Sequence, residues 1–169
     1  MSLLSFTIMA IHKEIIDSQL YLYMNGNLIY KRLLQTGESK VFDVMAYDKY
    51  TLISYRDSDF HKITPSFIIV KAKLRMKATN DGGRKTGFAS GYRPNHVFEY
   101  KAHNTFSTYV GDIQLNGQET IEPGEEKEVT VRFLGSQPIE RYLTVGRKWW
   151  IHEGPNQLGE AMILEVTLS

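Results

Sequence analysis

Cysteine is absent from all 169 residues. That excludes disulfides, thiolate nucleophiles and Cys-ligated zinc or iron–sulfur centres, and it fits a reducing compartment. Long hydrophobic runs are missing too: no stretch approaches the ~18–20 uninterrupted apolar residues of a membrane span. Net charge is scarce, at +1, so nothing draws the whole chain to nucleic acid or to an anionic membrane. The first ten residues, MSLLSFTIMA, carry no basic residue before their apolar stretch, and no small-x-small cleavage site follows. No signal peptide is expected from that pattern, and a cytoplasmic protein with no membrane partner is. A sustained i, i+3, i+4, i+7 apolar stripe is also lacking, as are internal repeats and low-complexity tracts.

What is present points to β structure. Apolar residues are 42% and charged residues 23%, the balance of a folded chain. Half of the aromatic residues are tyrosine, with 10 Tyr beside 8 Phe and 2 Trp. Such residues suit pleated, half-buried surfaces. Ile8 to Ile16 is short, uncapped and rich in β-branched residues, which favours a strand. Leu20–Met24 and Leu28–Arg32 flank Asn25-Gly26, a type I′ hairpin signal. Strands are expected next at 40–45 and 50–55, separated by Ala46-Tyr47-Asp48-Lys49. Asp57-Ser58-Asp59 and Thr64-Pro65-Ser66 punctuate the chain, so we divide it into an N-terminal β module, 1–64, and a second unit, 65–169. In the second unit strands are expected at 67–78 and near 96–101, 106–115, 127–134, 139–145, 147–152 and 160–168. Many short strands with regular turns define a sandwich or barrel. The expected class is all-β: a small sandwich-like module followed by a barrel.

Charge is distributed unevenly along the chain. Residues 67–103 hold eight basic residues against two acidic, and residues 104–169 hold five against ten. In Val70 to Ala78 the cations fall at every second position. A strand therefore sets Lys71, Lys73, Arg75 and Lys77 on one face, with Val70, Ala72, Leu74 and Met76 in the core. That row, roughly 20 Å long, can follow a nucleic-acid backbone by charge, without reading sequence. It can equally be a solvated face, neutralised by the acidic strand around Glu125, Glu126 and Glu128.

Asp81-Gly82-Gly83-Arg84-Lys85-Thr86-Gly87 is not a P-loop. Arg84 stands where the glycine before the lysine is required, Thr79 replaces the first glycine, and no helix is expected to follow. No nucleotide cofactor is therefore expected, and no cofactor of another kind. The segment Gly82-Gly83-Arg84-Lys85-Thr86-Gly87-Phe88-Ala89-Ser90-Gly91-Tyr92-Arg93-Pro94 instead resembles the opening of the C-terminal β-barrel domain of translation elongation factor Tu. Pro123-Gly124-Glu125 falls where that family has its Pro-Gly-acidic turn. Trp150-Ile151-His152-Glu153-Gly154 and Leu158-Gly159-Glu160-Ala161 are similar to its closing hairpin and strand. The resemblance covers 67–169. His152 stands where the family has arginine, Pro155-Asn156-Gln157 widens the last hairpin, and 95–103 departs from the family's pattern. The family's GTPase domain has no counterpart in this sequence. The resemblance implies a non-enzymatic six-stranded barrel that touches RNA or protein, and it makes Arg84, Tyr92 and Arg93 candidate contacts. Residues 18–55 bear a weaker likeness to PEGA or carboxypeptidase-regulatory modules, which are docking or spacer domains.

Catalytic and metal patterns are thin. His96 and His103 are separated by an odd number of positions, so a regular strand sends them apart. Ser90-Gly91 lacks the upstream glycine of a nucleophile elbow. Glu153 with Glu160 or Asp112 is the one carboxylate pairing the sequence offers, and nothing in the spacing demands it. Of Trp149-Trp150, one ring is expected in the core. The other is expected on a partner, on a stacked base, or against the N-terminal module. The expected function is a non-catalytic binding module. Its partner is RNA, through Lys71, Lys73, Arg75, Lys77, Arg84, Tyr92, Arg93, Trp149 and Trp150; the alternative is protein docking with no nucleic-acid role.

Overall fold

The structure is a computed structural model that describes residues 10–52, 62–117 and 120–169. It is all-β, with a five-stranded sheet followed by a closed six-stranded barrel. Among the described residues no helix is long and apolar enough to cross a membrane.

The sheet comprises β1 (Ala10–Ile16), β2 (Gln19–Met24), β3 (Asn27–Leu33), β4 (Ser39–Val41) and β5 (Lys62–Thr64). Its order is β4-β3-β2-β1-β5. Only the β1–β5 pair is parallel. The β2–β3 turn carries positive φ at both Asn25 (51°) and Gly26 (80°), as a type I′ turn requires. Alternation sends Ile11, Leu20, Leu22, Met24, Tyr30 and Leu34 inward. Among the described residues no second sheet lies over them: the covering layer comes from helix α1 (Val44–Thr51) and from the barrel.

Of the strand expected at 40–45 only Lys40 and Val41 are strand, in β4; helix α1 takes up 44–51, including the start of the strand expected at 50–55. Asp43 caps it, its Oδ1 accepting from the Ala46 amide at 3.0 Å. Tyr50 is its one buried residue, while Val44 and Met45 face outward. The apolar pattern therefore carries no helical period, which is why it reads as strand. Residues 53–61, including the rest of the strand expected at 50–55 and the turn at Asp57-Ser58-Asp59, lie outside the described residues.

The barrel strands are β6 (Phe67–Met76), β8 (Asn95–Val97), β9 (Tyr109–Leu115), β11 (Glu126–Leu134), β12 (Lys148–Glu153) and β13 (Asn156–Leu168). They close in the order β11-β6-β13-β12-β8-β9, with β9 returning to β11. Every pairing is antiparallel. A short pair, β7 (Phe88–Ala89) with β10 (Thr120–Ile121), lies apart from the closed barrel. Ile68, Val70, Ala72, Leu74, Val131, Phe133, Ile151 and Ile163 fill the interior. The strand expected at 139–145 is instead a 3-10 turn at Glu140–Tyr142. Its inward residues, Ile139, Glu140, Tyr142 and Leu143, do not alternate as a strand would.

Candidate functional site

Strand β6 alternates as its sequence requires. Val70, Ala72, Leu74 and Met76 are buried, while Lys71, Lys73 and Arg75 are exposed and Lys77 follows just past the strand. Both neighbouring strands answer the cations with carboxylates. Lys71 meets Glu165 of β13 at 2.9 Å, and Lys73 meets Glu126 of β11 at 3.1 Å. Arg75 stands in register with both Glu126 and Glu160. Those two acids turn elsewhere, Glu126 to Lys73 and Glu160 to Lys148 at 3.5 Å. Arg75 and Lys77 thus have no carboxylate partner among the described residues. The row is half neutralised, and its unpaired half lies at one end.

That end opens on a surface pocket of about 340 Å³, lined by Arg75, Lys77, Asp81, Gln157 and Glu160 with Gly124 and Gly159. A second depression of about 230 Å³ holds Arg93 beside Phe67 and the Asp112–Arg132 pair. Arg132 donates Nε to Asp112 Oδ1 at 3.0 Å and a second N–H to Oδ2 at 2.5 Å. These bonds hold the Asp112 carboxyl below its ordinary pKa.

Arg84 and Tyr92 brace the Gly-Gly-Arg loop. The Arg84 guanidinium pairs with Glu153, donates to the Tyr92 hydroxyl at 3.2 Å and lies 4.9 Å from the Tyr92 ring centre. The Tyr92 hydroxyl also bonds Glu153. Burial, with Glu153 beside it, raises the Tyr92 pKa well above its ordinary value. Gly83 is needed because a Cβ there would stand 2.2 Å from the Lys77 carbonyl oxygen. Glu153, Asp112 and Glu160 each answer a different cation, so the carboxylate pairing offered by the sequence does not form.

Trp149 is enclosed in the barrel, stacked on Phe98 at 5.4 Å and bonded to His96. A partner cannot reach it, which corrects its assignment as a contact residue. It faces inward because β12 alternates, with Trp149 and Ile151 buried. Trp150 is half-exposed and packs on Tyr100 at 4.7 Å. Tyr100 in turn sets its hydroxyl 2.5 Å from His152 Nε2. Neither tryptophan seals the contact between sheet and barrel.

That contact belongs to residues the sequence reading passed over. Lys13 of β1 is fully buried, donates to the Gln137 carbonyl at 3.0 Å and pairs with Glu140. The Tyr50 hydroxyl lies 2.6 Å from Glu140 Oε1. Among the described residues Glu140 Oε2 has no hydrogen-bond partner. Arg32 of β3 donates to the Leu143 carbonyl at 2.9 Å and to Thr144 Oγ1 at 2.6 Å. The Val145 amide donates to the Leu34 carbonyl at 2.8 Å. Desolvation lowers the Lys13 pKa and raises that of Tyr50, with Glu140 opposing the shift in Lys13 and adding to it in Tyr50. The signal was in the alternation: Lys13 and Arg32 sit at inward positions of β1 and β3, where an apolar residue is the rule.

Exposed apolar side chains follow one another along the chain from edge strand β4 through helix α1. Val44, Met45 and Leu52 are 63%, 84% and 85% exposed, and Val41 and Phe42 adjoin them. Met45 and Leu52 are seven residues apart, two helical turns, and so share a face. Among the described residues strand β4 is a sheet edge.

The fold and surface define an all-β protein with a closed antiparallel six-stranded barrel. No family model matches the chain. Among the described residues no three His, Asp or Glu side chains gather as metal ligands would.

Proposed function

We propose that the protein is a docking module that binds another protein through its N-terminal unit. The carrying observation is the outward row of Phe42, Val44, Met45 and Leu52 beside the open edge of β4. Exposed apolar residues in one contiguous group mark interaction surfaces. The two-turn spacing of Met45 and Leu52 suits an amphipathic partner helix whose own apolar stripe repeats every three to four residues. The resemblance of 67–169 to the C-terminal barrel of elongation factor Tu supports the same reading, since that barrel works by contact rather than by catalysis. A cytoplasmic setting goes with it.

Binding of RNA is the second reading, favoured by Arg75, Lys77 and Arg93, which have no carboxylate partner among the described residues. It is weakened by the carboxylates on Lys71 and Lys73. Capture from a cell lysate, with and without nuclease and across salt, separates the two. Protein docking requires a nuclease-resistant partner that persists in salt, is lost with Met45→Asp/Leu52→Asp, and is kept by Arg75→Gln/Lys77→Gln. RNA that disappears with salt and with the second variant, while the first retains it, refutes docking in favour of nucleic acid.

A further inference from the structure

The pocket at the end of β6 is chemically distinct from the apolar row. We propose that it is a binding site for a small organic anion, a carboxylate or phosphate monoester that also carries an amino or hydroxyl group. One wall holds Arg75 and Lys77, the two members of the basic row without a carboxylate partner among the described residues. Arg75 lacks one although two acids stand in register with it, because Glu126 is held by Lys73 and Glu160 by Lys148. Two unpaired cations on one wall are a receptor for an anion, and the arginine fork matches two oxygens of a carboxylate or phosphate.

The rest of the lining sets the ligand's size and its other functional group. Gly124 and Gly159 put no side chain into the space. A Cβ on Gly159 would stand 2.7 Å from the Arg75 carbonyl oxygen, so the floor stays bare. The volume of about 340 Å³ exceeds what an isolated phosphate fills and suits an anion with a short organic body. Asp81, Gln157 and Glu160 also line the space, with Glu160 turned to Lys148. Asp81 accepts from an amine or hydroxyl, and Gln157 both donates and accepts. No nucleotide motif is involved, and the site binds without transferring a group.

The test is titration of the ¹⁵N-labelled full chain with inorganic phosphate, O-phosphoserine and aspartate, followed by amide shifts. The site predicts saturable shifts at Lys77, Ala78, Gly124 and Gly159, with O-phosphoserine or aspartate binding more tightly than inorganic phosphate. The preference between the two amino acids identifies phosphate or carboxylate as the recognised group. Arg75→Gln/Lys77→Gln weakens binding about tenfold or more, whereas Lys71→Gln/Lys73→Gln leaves it unchanged. Absence of saturable shifts in the millimolar range overturns the proposal. So does equal weakening by the two double variants, which is diffuse attraction to a basic surface. Both variants change exposed or half-exposed side chains, and matching amide spectra without ligand establish that they fold.

Discussion

The indole of Trp149 donates its Nε1–H to Nδ1 of His96 at 3.0 Å, inside the barrel. An indole nitrogen can only donate, so Nδ1 must be the bare nitrogen of the imidazole. Nε2 then carries the proton and points it at the Gly111 carbonyl at 3.1 Å. Both ring nitrogens are satisfied only while the histidine is neutral. Burial pushes its pKa down from 6.5 to about 4.

Stability should therefore fall with acidification through a defined window. Above pH 6.5 the histidine is neutral in both states. Between 6.5 and about 4 the unfolded chain takes up a proton that the folded chain refuses. The loss is about 1.4 kcal/mol per pH unit across that window. Below it both states are protonated and this contribution levels off. Urea denaturation of the protein and of His96→Gln, compared from pH 4 to 8, isolates the effect. The wild-type curve should show the extra slope and the variant should lack it.

Lys13→Met should destabilise the protein by roughly 3–5 kcal/mol, because it leaves the buried Glu140 carboxylate without its cation. Adding Glu140→Leu to that variant should recover much of the loss, since an apolar pair needs no compensation. Denaturant midpoints of the two singles and the double form the cycle. If Lys13→Met alone proves neutral, Glu140 is not held as a buried ion.

Neighbouring glycines should behave differently. Gly82 has φ +88° with open space around it, so Gly82→Ala should cost about 1 kcal/mol in backbone strain. Gly83→Ala drives a methyl onto the carbonyl oxygens of Lys77 and Ala78, which would lie 2.2 and 2.7 Å away. It should cost more, about 2–3 kcal/mol, because backbone rather than a flexible side chain must move. Thermal midpoints order the two.

Lys71→Gln and Lys73→Gln should each change stability by less than about 1 kcal/mol. Their ion pairs are solvent-exposed, and such pairs contribute little. A denaturation series at low and high salt checks this. A large effect would mean that the outer face of β6 is tied to something the pairs alone do not explain.

Strand alternation was the legible part of the fold. It placed β6 and its cations, β12 with one tryptophan in and one out, and the Asn25-Gly26 hairpin. Helix α1 was illegible because a helix with one buried residue has no apolar period to detect, although Asp43 before Val44 is a capping signal. The turn at Glu140–Tyr142 was missed for a related reason. Its glutamate, Glu140, is buried against a lysine distant in sequence, and no local pattern encodes that partner. The pocket at Arg75 and Lys77 depends on which lysine each acid selects, a choice made across strands rather than along one.

Barrel closure has a consequence for the order in which the chain can fold. Strand β6 is flanked by β11 and β13, and Lys71 waits 94 residues for Glu165. Lys13 waits 124 residues for Gln137. During synthesis, both would emerge long before their partners, leaving an unmatched strand edge and a lone cation on an apolar face. Local pairings such as the β2–β3 hairpin can form at once, but the rest depends on late arrivals. Such a chain should fold slowly for its size, with a helper to shield it or a low concentration to spare it from aggregation.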